Sequence, residues 1–192
     1  MEKREKQPRS EETKKRILQA ARRRFAADGY ERATIRGVAA DAQIDPSMVM
    51  RYFGSKEGLF TAAASFPLDL PDLRAVPRKK RGERLARHFL HLWQRDASGG
   101  GLAILLRASA TNDDAAERVV RIFRKQVLPT IAAVTPDAPA ARAALIVSQF
   151  LGVAFCRYVV RIPELTRLDD ELLAASLAQT IQRYLDEPLR SA

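Results

Sequence analysis

The residues best suited to chemistry are few and are spread along the chain. His88 and His91 lie one helical turn apart, a spacing that suits a shared metal ion, but no third ligand is close to them in the sequence. The single cysteine, Cys156, lies in an apolar stretch, which favours a buried and unreactive thiol. The acidic pairs 113–114 and 169–170 begin predicted helices, where carboxylates act as caps. We therefore predict no catalytic centre, no metal site and no cofactor.

Charge gives the clearest functional signal. The 192-residue chain has 33 Lys and Arg against 23 Asp and Glu, a net charge of +10. Residues 1–24 hold ten basic and four acidic side chains, and residues 74–87 hold seven basic and one acidic. Basic segments of this kind favour nucleic acid or an anionic membrane surface as a partner. A solvated, solubilising face explains the charge alone equally well.

Composition also indicates the cellular compartment. The segment Met1–Lys15 is crowded with charges and lacks the apolar stretch of a secretory signal. The longest nearly apolar run, 145–160, contains Ser148, Gln149 and Arg157, so it is predicted to be too short and too polar to span a bilayer. A single cysteine cannot form a disulfide within the chain. We expect a soluble, cytoplasmic protein with no membrane partner.

Helical periodicity runs through the sequence and no strand pattern is convincing, so we predict an all-α fold. Prolines at 67, 71 and 77 interrupt the periodicity and mark a boundary. We predict an N-terminal three-helix domain with a helix-turn-helix, residues 1–65, and a larger C-terminal helical domain, residues 66–192. The predicted helices span residues 10–28, 34–42, 46–53, 56–65, 79–96, 102–111, 113–134 with a break near Pro129, 138–161 and 169–185.

The segment Thr34–Phe53 has the pattern of a helix-turn-helix. This motif needs two short helices across a tight turn, with apolar inner faces and a small residue where the helices approach. Val38 and Val49 provide the inner faces, and Ala39 is the small contact residue. Gln43 stands where the turn usually has glycine, so we expect a strained left-handed backbone there.

The stretch Ala33–Phe60, ATIRGVAADAQIDPSMVMRYFGSKEGLF, resembles the N-terminal domain of TetR-type transcriptional repressors. The resemblance rests on the threonine-led helix, the alanine-rich turn, Tyr52-Phe53 and the Ser-Lys-Glu-Gly-Leu sequence at 55–59. It extends over residues 10–65. The remainder matches as a helical domain of the right length, and its end looks like the C-terminal domains of actinobacterial members. Met50 departs from the tyrosine that the family usually has at this position.

The resemblance implies that the partner is double-stranded operator DNA and that Thr34, Tyr52 and Lys56 contact phosphates. Arg36 matches a family position that reaches a base or the backbone. Base readout is expected from the exposed face of the second helix, formed by Pro46, Ser47, Met48, Met50 and Arg51. Arg51 is suited to a bidentate contact with guanine, and the two methionines are suited to thymine methyl groups.

These assignments have simpler alternatives. Tyr52 is also suited to the core, Lys56 to a solvated surface, and Arg51 to a phosphate contact without base readout. Residues 3–9 are either an arm for the minor groove or a disordered tail. The basic cluster 78–81 either attracts DNA or is a solvated helix start.

Dimerisation is expected of the C-terminal domain. The helical stretch 145–158 is apolar nearly all round, which is typical of a helix buried on more than one side. A homodimer interface explains this pattern, and so does a central core helix. The resemblance implies a four-helix dimer interface. The predicted interface residues are Leu145, Val153, Leu173, Leu177 and Ile181.

Aromatic and aliphatic residues at helical spacing predict an effector pocket in the same domain. A few polar groups among them, an arginine above all, would favour an anionic head group on the effector. The alternative is that these side chains pack against one another and leave no cavity. The predicted lining residues are His88, Phe89, Leu92, Trp93, Ile104, Arg107, Phe123, Gln126, Gln149 and Phe150.

The features together predict a ligand-responsive dimeric transcriptional repressor. It binds a pseudo-palindromic operator through its helix-turn-helix and is released by a small, largely apolar effector. Three alternatives remain open: a ligand-independent or activating regulator, a nonspecific DNA-binding protein, and an enzyme that uses the C-terminal domain.

Overall fold

The computed structural model describes residues 7–65, 67–96, 100–135 and 137–189. The described residues form helices joined by turns and loops, with no strand among them. This confirms the predicted all-α fold class. Two 3₁₀ turns, Leu73–Ala75 and Arg78–Lys80, precede α5, and π-helical segments Phe123–Val127 and Phe155–Val160 follow α7 and α9. The helices are α1 Gln7–Arg32, α2 Ile35–Ala42, α3 Pro46–Phe53, α4 Lys56–Ala63, α5 Arg81–Asp96, α6 Gly101–Ala108, α7 Asp113–Ile122, α8 Leu128–Ala132, α9 Pro139–Ala154, α10 Pro163–Thr166 and α11 Asp170–Asp186.

The described residues form two compact units. The first unit comprises those within 1–66 and 98–108, and the second comprises those within 67–97 and 109–192. These units differ from the predicted division at residue 65, because α6 packs on α1 and so joins the first unit. Gly101 permits a close approach of α6 to the end of α4, since a Cβ atom at this position would lie 2.9 Å from the Ala64 carbonyl carbon.

Helix α1 is the centre of the first unit and contacts α2, α4 and α6. Its apolar residues recur at helical spacing, so Ile17 and Phe25 are both buried. The ring of Phe25 meets the ring of Phe60 in α4 edge-on, with 5.2 Å between centroids. The helix was predicted to end before Gly29, and the structure has a kink at Gly29 with a φ of 74° that glycine adopts readily.

The second unit is built around the pairing of α5 with α11, and α9 contacts both α11 and α8. Leu85 of α5, Ile146 of α9 and Ile181 of α11 belong to one buried cluster. Gly82 lets α5 approach α11 closely, because a Cβ atom there would lie 2.5 Å from the Ala178 carbonyl oxygen.

Arg142 of α9 is a buried cation in the second unit, with 2% of its side chain exposed. Its Nη1 donates to the carbonyl oxygens of Tyr184 and Glu187, at 2.6 and 2.9 Å. Its Nε donates to the backbone oxygen and the carboxylate of Asp137, and Nη2 lies 2.6 Å from the same carboxylate. The carbonyls at a helix end have no partner within the helix, so Arg142 satisfies the end of α11.

Helix α9 and the π-helical segment after it form one continuous apolar helix, Pro139–Val160. It has 22 residues and a mean hydropathy of 1.8 in its most apolar window. By length and composition alone, this helix could cross a membrane. The sequence predicted the opposite, because its apolar run 145–160 has only 16 residues. A helix of a soluble protein meets the same criterion, so this property is weak evidence for a membrane span.

Candidate functional site

The turn between α2 and α3 fixes the position of α3. Thr34 caps α2 by accepting a hydrogen bond from the Gly37 N–H, at 3.0 Å. Gln43 ends α2 in the left-handed region with a φ of 53°, as the motif predicted. Asp45 caps α3 by accepting from the Ser47 N–H at 2.7 Å, and Pro46 occupies the first helical position, where no N–H is needed.

The inner face of α3 is held against the rest of the first unit. Val49 is completely buried. The hydroxyl of Tyr52 lies 3.2 Å from the Ser10 hydroxyl of α1, and Nη2 of Arg16 donates to the Ala42 carbonyl oxygen at 2.6 Å. The sequence analysis assigned no role to Ser10 or Arg16. Their partners lie 42 and 26 residues away in the sequence, so neighbouring residues do not indicate these contacts.

The opposite face of α3 is open to solvent. Met50 is 45% exposed although it is a large apolar residue. No hydrogen bond or ion pair within the described chain holds the Arg51 guanidinium, so its donors are available to a ligand. Of the nine predicted DNA-contact residues, Thr34, Arg36, Pro46, Ser47, Met50 and Arg51 are exposed, and Met48, Tyr52 and Lys56 are half-buried.

Lys56 has contacts within the protein that the sequence did not reveal. Its Nζ donates to the Glu31 carbonyl oxygen at 3.0 Å and lies 4.6 Å from the centroid of the Tyr30 ring. The Tyr30 hydroxyl donates to the Glu57 carboxylate at 2.9 Å. An ammonium group has three donors, so Lys56 retains donors for a phosphate while it links α4 to the end of α1.

Electrostatics reinforce the geometry of the turn. The hydroxyl and the N–H of Ser47 donate to Asp45 and lower the pKa of its carboxyl, so the cap of α3 stays ionised at neutral pH. Arg24 of α1 forms a two-point ion pair with Asp41 of α2, at 2.6 and 2.9 Å, and this contact raises the pKa of Arg24. These carboxylates are therefore paired or capping, and they leave the exposed face of α3 to neutral and basic residues.

Two other basic segments, 3–9 and 78–81, were predicted to interact with DNA or to be solvated or disordered. Side chains of residues 3–9, the predicted arm or tail, lie outside the described part of the structure. In the cluster 78–81, Arg78 pairs with Asp186 at 2.8 Å. Arg81 is half-buried and donates to the carbonyl oxygens of Leu73, Val76 and Val134. Arg81 therefore has a packing role that neither predicted alternative included.

Two family models match the chain. The model described as tetracyclin repressor-like, C-terminal domain, matches residues 80–185, and the model described as bacterial regulatory proteins, tetR family, matches residues 17–63. The first of these alone covers more than half of the chain.

The chain belongs to the TetR family.

Solved structures agree with this assignment. A TetR-family regulator from Streptomyces coelicolor A3 is 25% identical, with 97% of this chain and 100% of that chain covered and a TM-score of 0.64. The multidrug binding protein EbrR, complexed with imidazole, is 21% identical, with complete coverage of both chains and a TM-score of 0.67. The fatty acid degradation regulator FadR from Bacillus halodurans is 15% identical, with 92% and 100% covered and a TM-score of 0.69. None of the curated proteins compared with the chain matches it.

As a TetR-family member, the protein is a DNA-binding transcriptional regulator and not an enzyme, as predicted. Within the described residues, no three His, Cys, Asp or Glu side chains are grouped closely enough to hold a metal ion. Nε2 of His88 instead lies 2.7 Å from the Leu68 carbonyl oxygen. Burial lowers the pKa of His88, so its neutral ring donates this bond at pH 7.

In the second unit of the regulator, the aromatic residues predicted to line a pocket contact one another. The rings of Phe89 and Phe150 stack at 4.7 Å between centroids, and the rings of Trp93 and Tyr158 stack at the same distance. Phe89 and Trp93 are 6.3 Å apart, so the four rings form a continuous row. Phe89, Trp93 and Phe150 therefore pack against one another and against Tyr158, which is the alternative to a pocket that the sequence left open.

The other predicted pocket residues are divided between the two units. Ile104 and Arg107 belong to the first unit, where Nη1 of Arg107 donates to the Ala26 carbonyl oxygen at 2.6 Å. The sequence did not indicate that α6 packs on α1 and belongs to the first unit. Leu92 and Gln149 are half-buried and Gln126 is exposed. Phe123 packs against the buried cluster that contains Leu85, Ile146 and Ile181.

The predicted interface residues divide into two groups. Leu145 is exposed and Val153 is half-buried on α9. Leu173, Leu177 and Ile181 of α11 are only 5%, 6% and 0% exposed within a single chain. These three side chains form a buried apolar stripe that faces α5 and α9 of the same chain, whereas Leu172 on the same helix remains exposed.

Proposed function

We propose that the protein is a homodimeric, ligand-responsive transcriptional repressor that binds a pseudo-palindromic operator. The observation that carries the proposal is the α2–α3 motif, in which Val49 is completely buried while Met50 and Arg51 face solvent. A helix held by its inner face and open on its outer face is suited to the major groove. A protein that acts on chromosomal DNA works in the cytoplasm, which is consistent with the single cysteine.

Sequence readout is proposed for the α3 side chains. Arg51 has the planar fork that binds the O6 and N7 atoms of guanine, and Met50 provides an apolar surface for a thymine methyl group. Lys56 and Tyr52, together with Thr34 at the start of α2, are proposed to contact phosphates. Phosphate contacts provide affinity for any sequence, whereas base contacts provide preference for one.

Dimerisation is proposed to occur through the exposed face of α9 and its π-helical continuation. Leu145 and Phe155 are 36% and 41% exposed although both are large and apolar, and Gly152 between them has open space above its Cα. Leu172 at the start of α11 is 55% exposed and is proposed to extend the same surface. Exposed large apolar side chains that form a patch are typical of a protein interface.

The effector is proposed to be a small, largely apolar molecule that binds in the second unit beside the aromatic row. Binding there is proposed to favour a dimer in which the two α3 helices no longer match successive major grooves. The EbrR relative is named as a multidrug binding protein, which is compatible with an apolar effector.

Replacing Arg51 by alanine is expected to weaken operator binding by about 1–3 kcal/mol and to relax the preference at one base position. Lys56→Ala is the comparison, because loss of a phosphate contact weakens binding to all sequences alike and lowers the slope of log K against log salt by about one. Binding to an operator and to random DNA is measured over a range of salt concentrations. An equal loss of specific and random binding in Arg51→Ala would show that Arg51 contacts phosphate only.

A further inference from the structure

Arg157 is a largely buried cation near the end of the long apolar helix of the second unit. Its side chain is 11% exposed, and Nη2 lies 2.7 Å from the Asp170 carboxylate. The same nitrogen donates to the Leu168 carbonyl oxygen at 3.1 Å. The amide of Gln94 donates to the second carboxylate oxygen of Asp170, at 2.5 Å.

Nη1 of Arg157 lacks a hydrogen-bond partner. This nitrogen is buried from solvent. Among the described residues it is the one buried side-chain nitrogen or oxygen atom that makes no hydrogen bond. A buried donor without an acceptor destabilises the folded chain, and more so when it is charged. Nearly all buried polar groups of folded proteins have a hydrogen-bond partner, which is a protein group, an ordered water or a ligand.

The unpaired donor lies next to the aromatic row. The guanidinium carbon of Arg157 is 5.7 Å from the centroid of the Tyr158 ring, and Tyr158 stacks on Trp93 with only 6° between the ring planes. Burial raises the pKa of Tyr158, so its hydroxyl remains a donor at neutral pH. The stacked rings of Trp93 and Tyr158 and the fixed donor of Arg157 therefore lie side by side, and aromatic side chains with a few polar groups are the usual lining of a small-molecule site.

We propose that Arg157 is the polar anchor of the effector site, and that its Nη1 binds a neutral acceptor oxygen of a planar aromatic compound that packs beside Tyr158 and Trp93. This inference rests on the effector role proposed above. It replaces the polar anchors expected from the sequence, since Arg107 and His88 already bond to backbone carbonyls.

The local charge favours a neutral oxygen over a carboxylate. Asp170 already neutralises Arg157, Arg87 pairs with Glu171 at 2.6 Å, and Asp169 adds a further carboxyl group at the same helix start. An anionic effector would leave an uncompensated negative charge in a partly buried site, which is costly. A carbonyl oxygen accepts the Nη1 proton without adding charge.

The test compares three naphthalenes of similar shape: 2-acetylnaphthalene has a neutral acceptor oxygen, 2-ethylnaphthalene has none, and 2-naphthoate is anionic. Binding to the full-length protein is followed by quenching of Trp93, the single tryptophan of the chain. We expect the ketone to bind about tenfold more tightly than the hydrocarbon and than the carboxylate, as one hydrogen bond to a charged donor predicts.

Arg157→Lys keeps a cation beside Asp170 but lacks the second terminal nitrogen. We expect this variant to bind the hydrocarbon as the wild type does and to reduce the preference for the ketone to about threefold or less. Arg183→Lys changes an exposed arginine of the same unit, which pairs with Glu187, and is expected to leave every affinity unchanged. Circular dichroism establishes that both variants are folded.

Equal binding of ketone and hydrocarbon by the wild type would overturn the proposal, and this comparison requires no variant. Tighter binding of the carboxylate, an unchanged preference in Arg157→Lys, or no quenching by any of the three would also overturn it. Operator binding is measured separately. If the ketone preference depends on Arg157 but the ketone does not release the operator, the site is supported and the proposed repressor mechanism is contradicted. If the protein binds its operator but shows no ketone preference, the site alone is contradicted.

Discussion

Replacing Arg142 by alanine is expected to lower the free energy of unfolding of the second unit by about 3–5 kcal/mol. The guanidinium is 2% exposed and bonds two carbonyl oxygens at the end of α11 and both acceptor groups of Asp137. Alanine leaves these carbonyls without a donor and opens a cavity between α9 and α11. A loss of this size is a large part of the stability of a typical domain.

Urea unfolding followed by circular dichroism measures this effect. Arg183→Ala is the matched control, because Arg183 pairs with Glu187 at the same helix end but is 71% exposed. Exposed ion pairs contribute about 0–1 kcal/mol, so the control is expected to unfold almost as the wild type does. Equal midpoints for Arg142→Ala and Arg183→Ala would contradict the stabilising role assigned to the bonds of Arg142 at the end of α11.

The Phe155→Asp variant is expected to be a folded monomer at micromolar concentration and to bind the operator roughly 100-fold more weakly than the wild type. Phe155 is 41% exposed, so a charge there leaves the core of the chain intact. In the proposed dimer this position is covered by the partner, where an unpaired carboxylate is strongly unfavourable. Loss of the dimer removes the gain from binding two half-sites at once, which is of the order of 10²–10⁴.

Sedimentation and operator titration are the two measurements for this variant. Val120→Asp is the control, since Val120 is 45% exposed on α7 and lies outside the proposed interface. The control is expected to remain dimeric and to bind the operator normally. A Phe155→Asp variant that remained dimeric would place the interface elsewhere, and a wild type that sediments as a monomer would exclude the proposed dimer.

Local sequence signals were sufficient for the helices and for the α2–α3 motif. Caps such as Thr34 and Asp45 act on their own backbone, so their roles depend on neighbours within three residues. The left-handed backbone at Gln43 followed from the length and geometry of the turn, although the residue is not glycine. Burial of Val38 and Val49 followed from the helical period of the apolar residues.

Roles that depend on distant packing could not be predicted in this way. Leu173, Leu177 and Ile181 form an apolar stripe, but a stripe does not indicate whether it faces its own chain or a partner. The roles of Arg107 and Arg142 depend on carbonyl groups 81 and 42 residues away in the sequence. A long cation reaches a backbone group only after the helices have packed, so the sequence has no local signal for either contact.

The central claim is that a dimer reads two symmetric half-sites through α3, and in vitro selection from random double-stranded DNA tests it most directly. The full-length protein is expected to enrich sequences with two inverted half-sites, centred about 34–36 Å or a multiple of that distance apart. Arg51→Ala is expected to lose the preference at the same position in both halves. Enrichment of a single asymmetric site, or of no sequence at all, would contradict the account.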